Sequence, residues 1–170
     1  MRTLGDNPAE LLSRVNAELM SILKPMDSPL YATTFYLVAD AALGQIRFSK
    51  AGHPNPLLLQ RQTGEVKTLK CDSGKSGPAL GMMVKAKYYN CEHPLAADDL
   101  ILLFTDGIYE VFDTAEKEFG PEKLAAALKL RRELPLDALM DGLLTEARNY
   151  SAEKNFDDDI CLIALEAVPV

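Results

Sequence analysis

Cysteine is scarce in this chain: Cys71, Cys91 and Cys161 are the only three in 170 residues, and none belongs to a CxxC pair. So scattered a set argues against a zinc ribbon and for a reducing compartment. Cys161 lies in an apolar stretch and reads as a small core residue. No apolar run is long enough to span a bilayer, and the N-terminus lacks the apolar region of a secretory signal. A cytoplasmic location is therefore expected. Basic charge is in deficit, with 18 Lys and Arg against 25 Asp and Glu and a net charge of -7. Nucleic acid and anionic membranes both select a basic surface, so neither is an expected partner; a basic partner and divalent cations stay open. There is no internal repeat, no low-complexity tract and no G-x-S-x-G nucleophile elbow. Gly74-Lys75-Ser76-Gly77 lacks the upstream glycine of a phosphate loop, and no strong helix follows it. Histidine occurs twice. His53, between Gly52 and Pro54, has no nearby Cys, Glu or second His, and is expected to fix a loop through backbone hydrogen bonds; His93 has no obvious companion.

What remains is an ordinary globular composition, 48% hydrophobic and 25% charged, at a length that suits one domain over residues 1–170. A helix is expected from Asn7, with Pro8 at its first position and Glu10 three residues past the cap. Leu11, Leu12, Val15, Leu19, Ile22 and Leu23 give it one apolar face, and Pro25 ends it. A loop over Met26–Leu30 follows. Tyr31–Asp40 and Gln45–Lys50 read as a hairpin, Leu57–Gln60 and Glu65–Leu69 as two further strands. Cys71–Gly81 reads as a surface loop, and Lys85–His93 as an edge strand guarded by lysines. Past Leu100–Phe104, a short helical turn is expected from Ile108, then helices opened by Pro121 and Pro135 and a last strand over Ile160–Ala167. Strands followed by helices and a closing strand fit an α+β layering.

The informative stretch is Asp99–Glu110, DLILLFTDGIYE. A short apolar run bounded by turn residues reads as a strand buried on both faces. It delivers Asp106 to its tip, followed by Gly107, which permits a sharp turn or a close approach. Asp-Gly after a strand is also a common hairpin signal. A second acidic group, Asp157-Asp158-Asp159, opens the last apolar run. Were those strands neighbours, carboxylates would converge, and converging carboxylates repel unless a cation or proton sits between them. Hard divalent cations take such oxygen ligands and activate water toward phosphoryl groups. A solvated acidic turn explains residues 157–159 equally well.

Taken in order, PAELLSRVNAEL, YATTFYLVADAALGQIRFSKAGHPNPLLL, GPALGM, DDLILLFTDGIYEVFD, FG and FDDDICLIAL resemble the SpoIIE-like class of metal-dependent serine/threonine phosphatases, the PPM or type 2C family. The resemblance runs from about Pro8 to about Leu165. It implies an α+β fold, an antiparallel β-sandwich flanked by helices, with two Mn²⁺ or Mg²⁺ ions at one end. It implies hydrolysis of phosphoserine or phosphothreonine on a regulatory phosphoprotein, such as an anti-sigma-factor antagonist, and an upstream sensor or regulatory domain. Asp106 and Asp158 match metal-ligand aspartates and carry the expected catalysis. Asp159 matches the polar residue beside them, and Gly107 allows close approach. Two family elements, Gly-Asp-x-x-Asp and Asp-Val-Ser-Gly-His-Gly, do not occur in these residues, and Cys161 stands where the family usually has threonine. The resemblance thus implies a domain cut on its N-terminal side, with one weakly held cation or none, and low or no activity. Bare sheet edges predict a homodimer or larger assembly. The rival expectation is a partner-binding module of the same fold that does no chemistry.

Overall fold

The computed structural model describes residues 4–23, 30–71 and 74–168. Among them, seven strands and three α-helices make a mixed α+β fold with two antiparallel sheets. The chain divides into two compact units, Met1–His53 with Lys70–Leu95, and Pro54–Leu69 with Ala96–Val170.

In the first unit, α1 (Pro8–Leu23) begins at the expected cap. Asn7 Oδ1 accepts the Glu10 N–H at 3.3 Å, which satisfies one of the helix's open amides. The Glu10 carboxylate returns to the Asn7 side-chain amide at 3.4 Å. It does not reach the Asn7 backbone N–H, which donates to Leu4 O at 3.2 Å and closes a 3-10 turn over Leu4–Asp6. The apolar face is narrower than its periodicity suggests. Leu12 is buried, whereas Val15 and Ile22 are 41% and 65% exposed. The expected stop at Pro25 and most of the following loop lie outside the described residues.

β1 (Thr34–Asp40) and β2 (Gln45–Ala51) form the expected hairpin, paired from Thr34–Ala51 to Asp40–Gln45. In chain order, β3 (Leu57–Gln60) and β4 (Glu65–Thr68) belong to the second unit. β5 (Cys91–Pro94) returns to the first and pairs with β2, shorter than the expected strand over Lys85–His93. Leu12, Ala51, Leu80 and Tyr88 make this unit's small core. Asn16, buried in α1, accepts the Gly81 N–H and donates to Met83 O, both at 2.9 Å, and so ties the 81–83 loop to the helix. Cys71 and Cys91 are joined by a disulfide. The two cysteines lie 20 positions apart in sequence. Scattered spacing therefore carried no information about pairing, and it carries none about compartment.

The second unit holds a four-stranded antiparallel sheet in the order β4-β3-β6-β7, with β6 (Asp99–Phe104) and β7 (Leu162–Glu166) at its centre and edge. Leu57 pairs with Leu102 and Leu59 with Leu100. Helices α2 (Gly120–Leu130) and α3 (Leu136–Tyr150) cover that face with Leu124, Ala127, Leu128, Leu139, Leu143 and Ala147, all buried in one cluster. Each fully buried leucine contributes about 1.5–3 kcal/mol. The cluster includes Leu100, Leu102 and Phe104 and so buries one face of β6. Of the described residues, no helix is long and apolar enough to cross a membrane.

Candidate functional site

Burial on both sides makes β6 a fixed mount: Leu100, Ile101, Leu102 and Phe104 are at most 4% exposed. At its end the chain leaves the sheet at Thr105, in extended conformation, and enters a 3-10 turn over Asp106–Ile108. A turn of helix, not a hairpin, follows Asp106. Asp106 O accepts the N–H groups of Tyr109 and Glu110, each at 2.9 Å, which closes the turn.

Thr105 joins this tip to the acidic segment before β7. Its N–H donates to Cys161 O at 3.0 Å. Its hydroxyl accepts the Cys161 N–H at 2.9 Å and donates to Asp159 O at 3.2 Å. Three hydrogen bonds thus hold residues remote in sequence side by side. Gly107 lies buried in the seam. A Cβ there would stand 2.8 Å from Asp159 O and 3.3 Å from Asp158 O, closer than packed atoms allow. Glycine is needed here for space, not for a left-handed conformation.

The structure brings Asp106 and Asp158 to one end of the second unit. Asp106 is half-buried, and Asp157, Asp158 and Asp159 are exposed. Asp158 Oδ1 accepts the Asp159 N–H at 2.7 Å. The electrostatic mark of the convergence falls on Glu110. Its carboxyl is pushed above its ordinary value by loss of solvent, then by the negative charges of Asp106, Glu118 and Asp158. The Tyr109 hydroxyl is raised by burial and by Glu110, Asp106 and Glu118. Carboxylates face carboxylates here, the setting in which a cation relieves repulsion.

The donors are all oxygen, which suits Mg²⁺ or Mn²⁺ in kind. In number they suit one such ion, with water filling most of its coordination. Among the described residues, no group of three or more His, Cys, Asp or Glu side chains could hold a metal ion, so a two-metal cradle is not assembled from them.

Thr105 and Glu110 escaped sequence reasoning. The only available signal was a hydroxyl between a buried strand and Asp-Gly, and a carboxylate one helical turn beyond it. Cys161, expected in the core, is exposed; β7 begins one residue later, and the 161 backbone, not its thiol, does the work of the seam. His53 Nδ1 lies 3.2 Å from the Thr33 hydroxyl, and His53 O accepts the Lys50 ammonium at 3.1 Å.

A sequence profile of the family described as Stage II sporulation protein E (SpoIIE) matches residues 1–168. Protein IcfG of Synechocystis sp. is 24% identical over 139 residues, 82% of this chain and 21% of that protein. The SiaA-PP2C domain of Pseudomonas aeruginosa superposes with a TM-score of 0.77 at 23% identity, over 94% of this chain and 61% of that one. The phosphatase domain of the cell fate determinant SpoIIE from Bacillus subtilis does so with a TM-score of 0.65 at 15% identity, over 99% of this chain and 76% of that one. The chain thus spans about a fifth of IcfG and three fifths of the SiaA domain. Its two antiparallel sheets and its helices carry the fold of these phosphatase domains. With a profile match over nearly its whole length, this chain belongs to the SpoIIE family.

Proposed function

We propose that residues 1–170 act as one metal-dependent phosphatase domain on phosphoserine or phosphothreonine of a regulatory protein, of the anti-sigma-factor-antagonist type. The observation that supports this reading is the seam at Thr105, which ties the Asp106 turn to residues 159–161, with Asp106 and Asp158 both among the charges that raise the Glu110 carboxyl. Asp106 and Asp158 would hold Mn²⁺ or Mg²⁺, with Asp159 braced next to them and Gly107 leaving room for the approach. The ion, when bound, supplies Lewis acidity toward a phosphoryl oxygen and water. The chain's own residues do the rest. Asp106 and Asp158 provide the negative charge, β6 fixes its position, and Thr105 fixes the spacing. The carboxylates of Gly-Asp-x-x-Asp and Asp-Val-Ser-Gly-His-Gly are not among these residues, so turnover by this chain is expected to be weak. A sensor or regulatory domain in the intact protein belongs to the same proposal.

A second reading, a partner-binding module without chemistry, is favoured by the lack of a metal-holding group of three side chains among the described residues. One assay separates the two. Mn²⁺-dependent hydrolysis of a phosphoserine peptide that Asp106→Asn abolishes supports the enzyme. Partner binding without turnover that survives Asp106→Asn and Asp158→Asn supports the module. Absence of cation binding by calorimetry removes the metal reading.

Self-association is part of the proposal too. β7 is an edge strand with Ile163 and Leu165 49% and 41% exposed and no charge before Glu166, whereas the opposite edge, β4, carries Glu65 and Lys67. A dimer or larger species by light scattering, reduced to monomer by Ile163→Lys, is the expected result; a wild-type monomer overturns it.

A further inference from the structure

A groove of about 370 Å³ opens on the second unit beside the acidic segment. Met140, Leu144 and Arg148 reach it from one face of α3, at four-residue intervals, Phe156 and Ile160 from the approach to β7, and Leu162 from the first residue of that strand. The five apolar side chains are half-buried: their inner sides pack on the core cluster, and their outer sides line the groove. Asp158 and Asp159 complete the lining, so the groove is continuous with the candidate catalytic end.

Arg148 is the one cation among the residues lining this groove. Its guanidinium lies 5.4 Å from the centre of the Phe156 ring, a cation–π contact that does not consume its N–H donors. Among the described residues, no carboxylate lies within ion-pair distance of it, although the chain has a net charge of -7. An apolar trough whose lining holds two carboxylates, Asp158 and Asp159, and one guanidinium outside any ion pair, Arg148, complements a bulky apolar side chain whose neighbouring carboxylate meets Arg148.

We propose that this groove seats the flank of the phosphorylated segment. A large aliphatic side chain enters among Leu144, Phe156 and Leu162, and an acidic residue of the same segment pairs with Arg148. The phosphorylated residue then lies toward Asp158. The groove thereby selects among phosphoproteins, and it rests on the phosphatase reading of the Asp106 and Asp158 end. The occupant is a peptide segment of a partner; a second copy of this chain is the alternative that the test separates.

The test uses synthetic phosphoserine peptides in which each flanking position is scanned through Ala, Leu, Glu and Lys. Binding is read by fluorescence anisotropy with Mn²⁺ present and released phosphate followed in parallel. At one position Leu is expected to bind roughly tenfold more tightly than Ala. At a neighbouring position Glu is expected to exceed Lys by about threefold. Arg148→Glu, an exposed site that leaves the core intact, should invert the second preference in favour of Lys. Leu144→Ala should erase the first while its thermal transition shows it folded. Flank preferences that are absent, or that ignore both substitutions, overturn the groove while phosphate-dependent binding keeps the phosphatase reading. Flank preferences that follow Arg148 but ignore the phosphate support the groove and overturn the reading beneath it. Sedimentation in which Arg148→Glu changes the assembly state without changing peptide preference assigns the groove to a second copy and overturns the proposal.

Discussion

Two carboxylates three residues apart, Glu110 and Asp113, answer their surroundings in opposite ways. Asp113 accepts the backbone N–H groups of Lys117 at 3.0 Å and Ala115 at 2.9 Å, and the Tyr150 hydroxyl at 3.2 Å. Those donors, the backbone ones first, hold its carboxyl below its ordinary value. Glu110, though exposed, loses some solvent and meets the charges of Asp106, Glu118 and Asp158, and its carboxyl rises. Asp113 is a turn residue whose charge is already answered by the fold. The Glu110 region has charge left over, and that surplus is what a cation or a basic group from outside can answer. Acidic residues are common in this chain; what faces each one decides whether its charge is answered within the fold or left over.

The strongest way to break the contrast is to discharge the acidic end. Asp106→Asn should lower Mn²⁺-dependent phosphate release by on the order of a hundredfold or more and weaken Mn²⁺ binding by calorimetry. Asp113→Asn should leave both unchanged. Next comes the seam. Gly107→Ala forces a methyl against Asp159 O and should cost about 1–3 kcal/mol in urea unfolding. Thr105→Val keeps the shape but leaves the Cys161 N–H without its acceptor, a loss of about 1–2 kcal/mol, and it should lower Mn²⁺ affinity by letting the 159–161 segment drift.

The smallest effect sharpens the contrast through pH. The native carboxyl of Asp113 lies below its unfolded value, so its contribution is full above the ordinary aspartate range and is lost as pH falls through the native value. The native carboxyl of Glu110 lies above its unfolded value. Its charged form therefore opposes folding at neutral pH, and that penalty fades as pH falls from the native value to the ordinary glutamate range. Glu110→Gln should raise the melting temperature slightly at neutral pH and Asp113→Asn should lower it. Both differences should vanish in acid. Equal responses of the two variants across that range would dissolve the distinction.

Much of the framework was legible along the chain. Asn7, Pro8 and Glu10 announced α1, Pro121 and Pro135 opened α2 and α3, and the apolar run Leu100–Phe104 announced a strand buried on both faces. These features act over a few residues: a cap satisfies the next turn's amides, a proline fixes its own backbone, and side-chain alternation fixes a face. The same local rules stretched β5 too far and put Val15 and Ile22 on a covered face, because burial depends on what packs opposite.

By itself the sequence determined the helices, the central strand and the delivery of Asp106 to its tip, since each follows from contacts between near neighbours along the chain. Only the tertiary structure decided that Thr105 clasps residues 159–161, that Cys71 meets Cys91, and that Glu110 and Asp113 diverge. Hydrogen bonds, disulfides and fields between residues remote in sequence depend on distances in space, and no local pattern of residues encodes those distances.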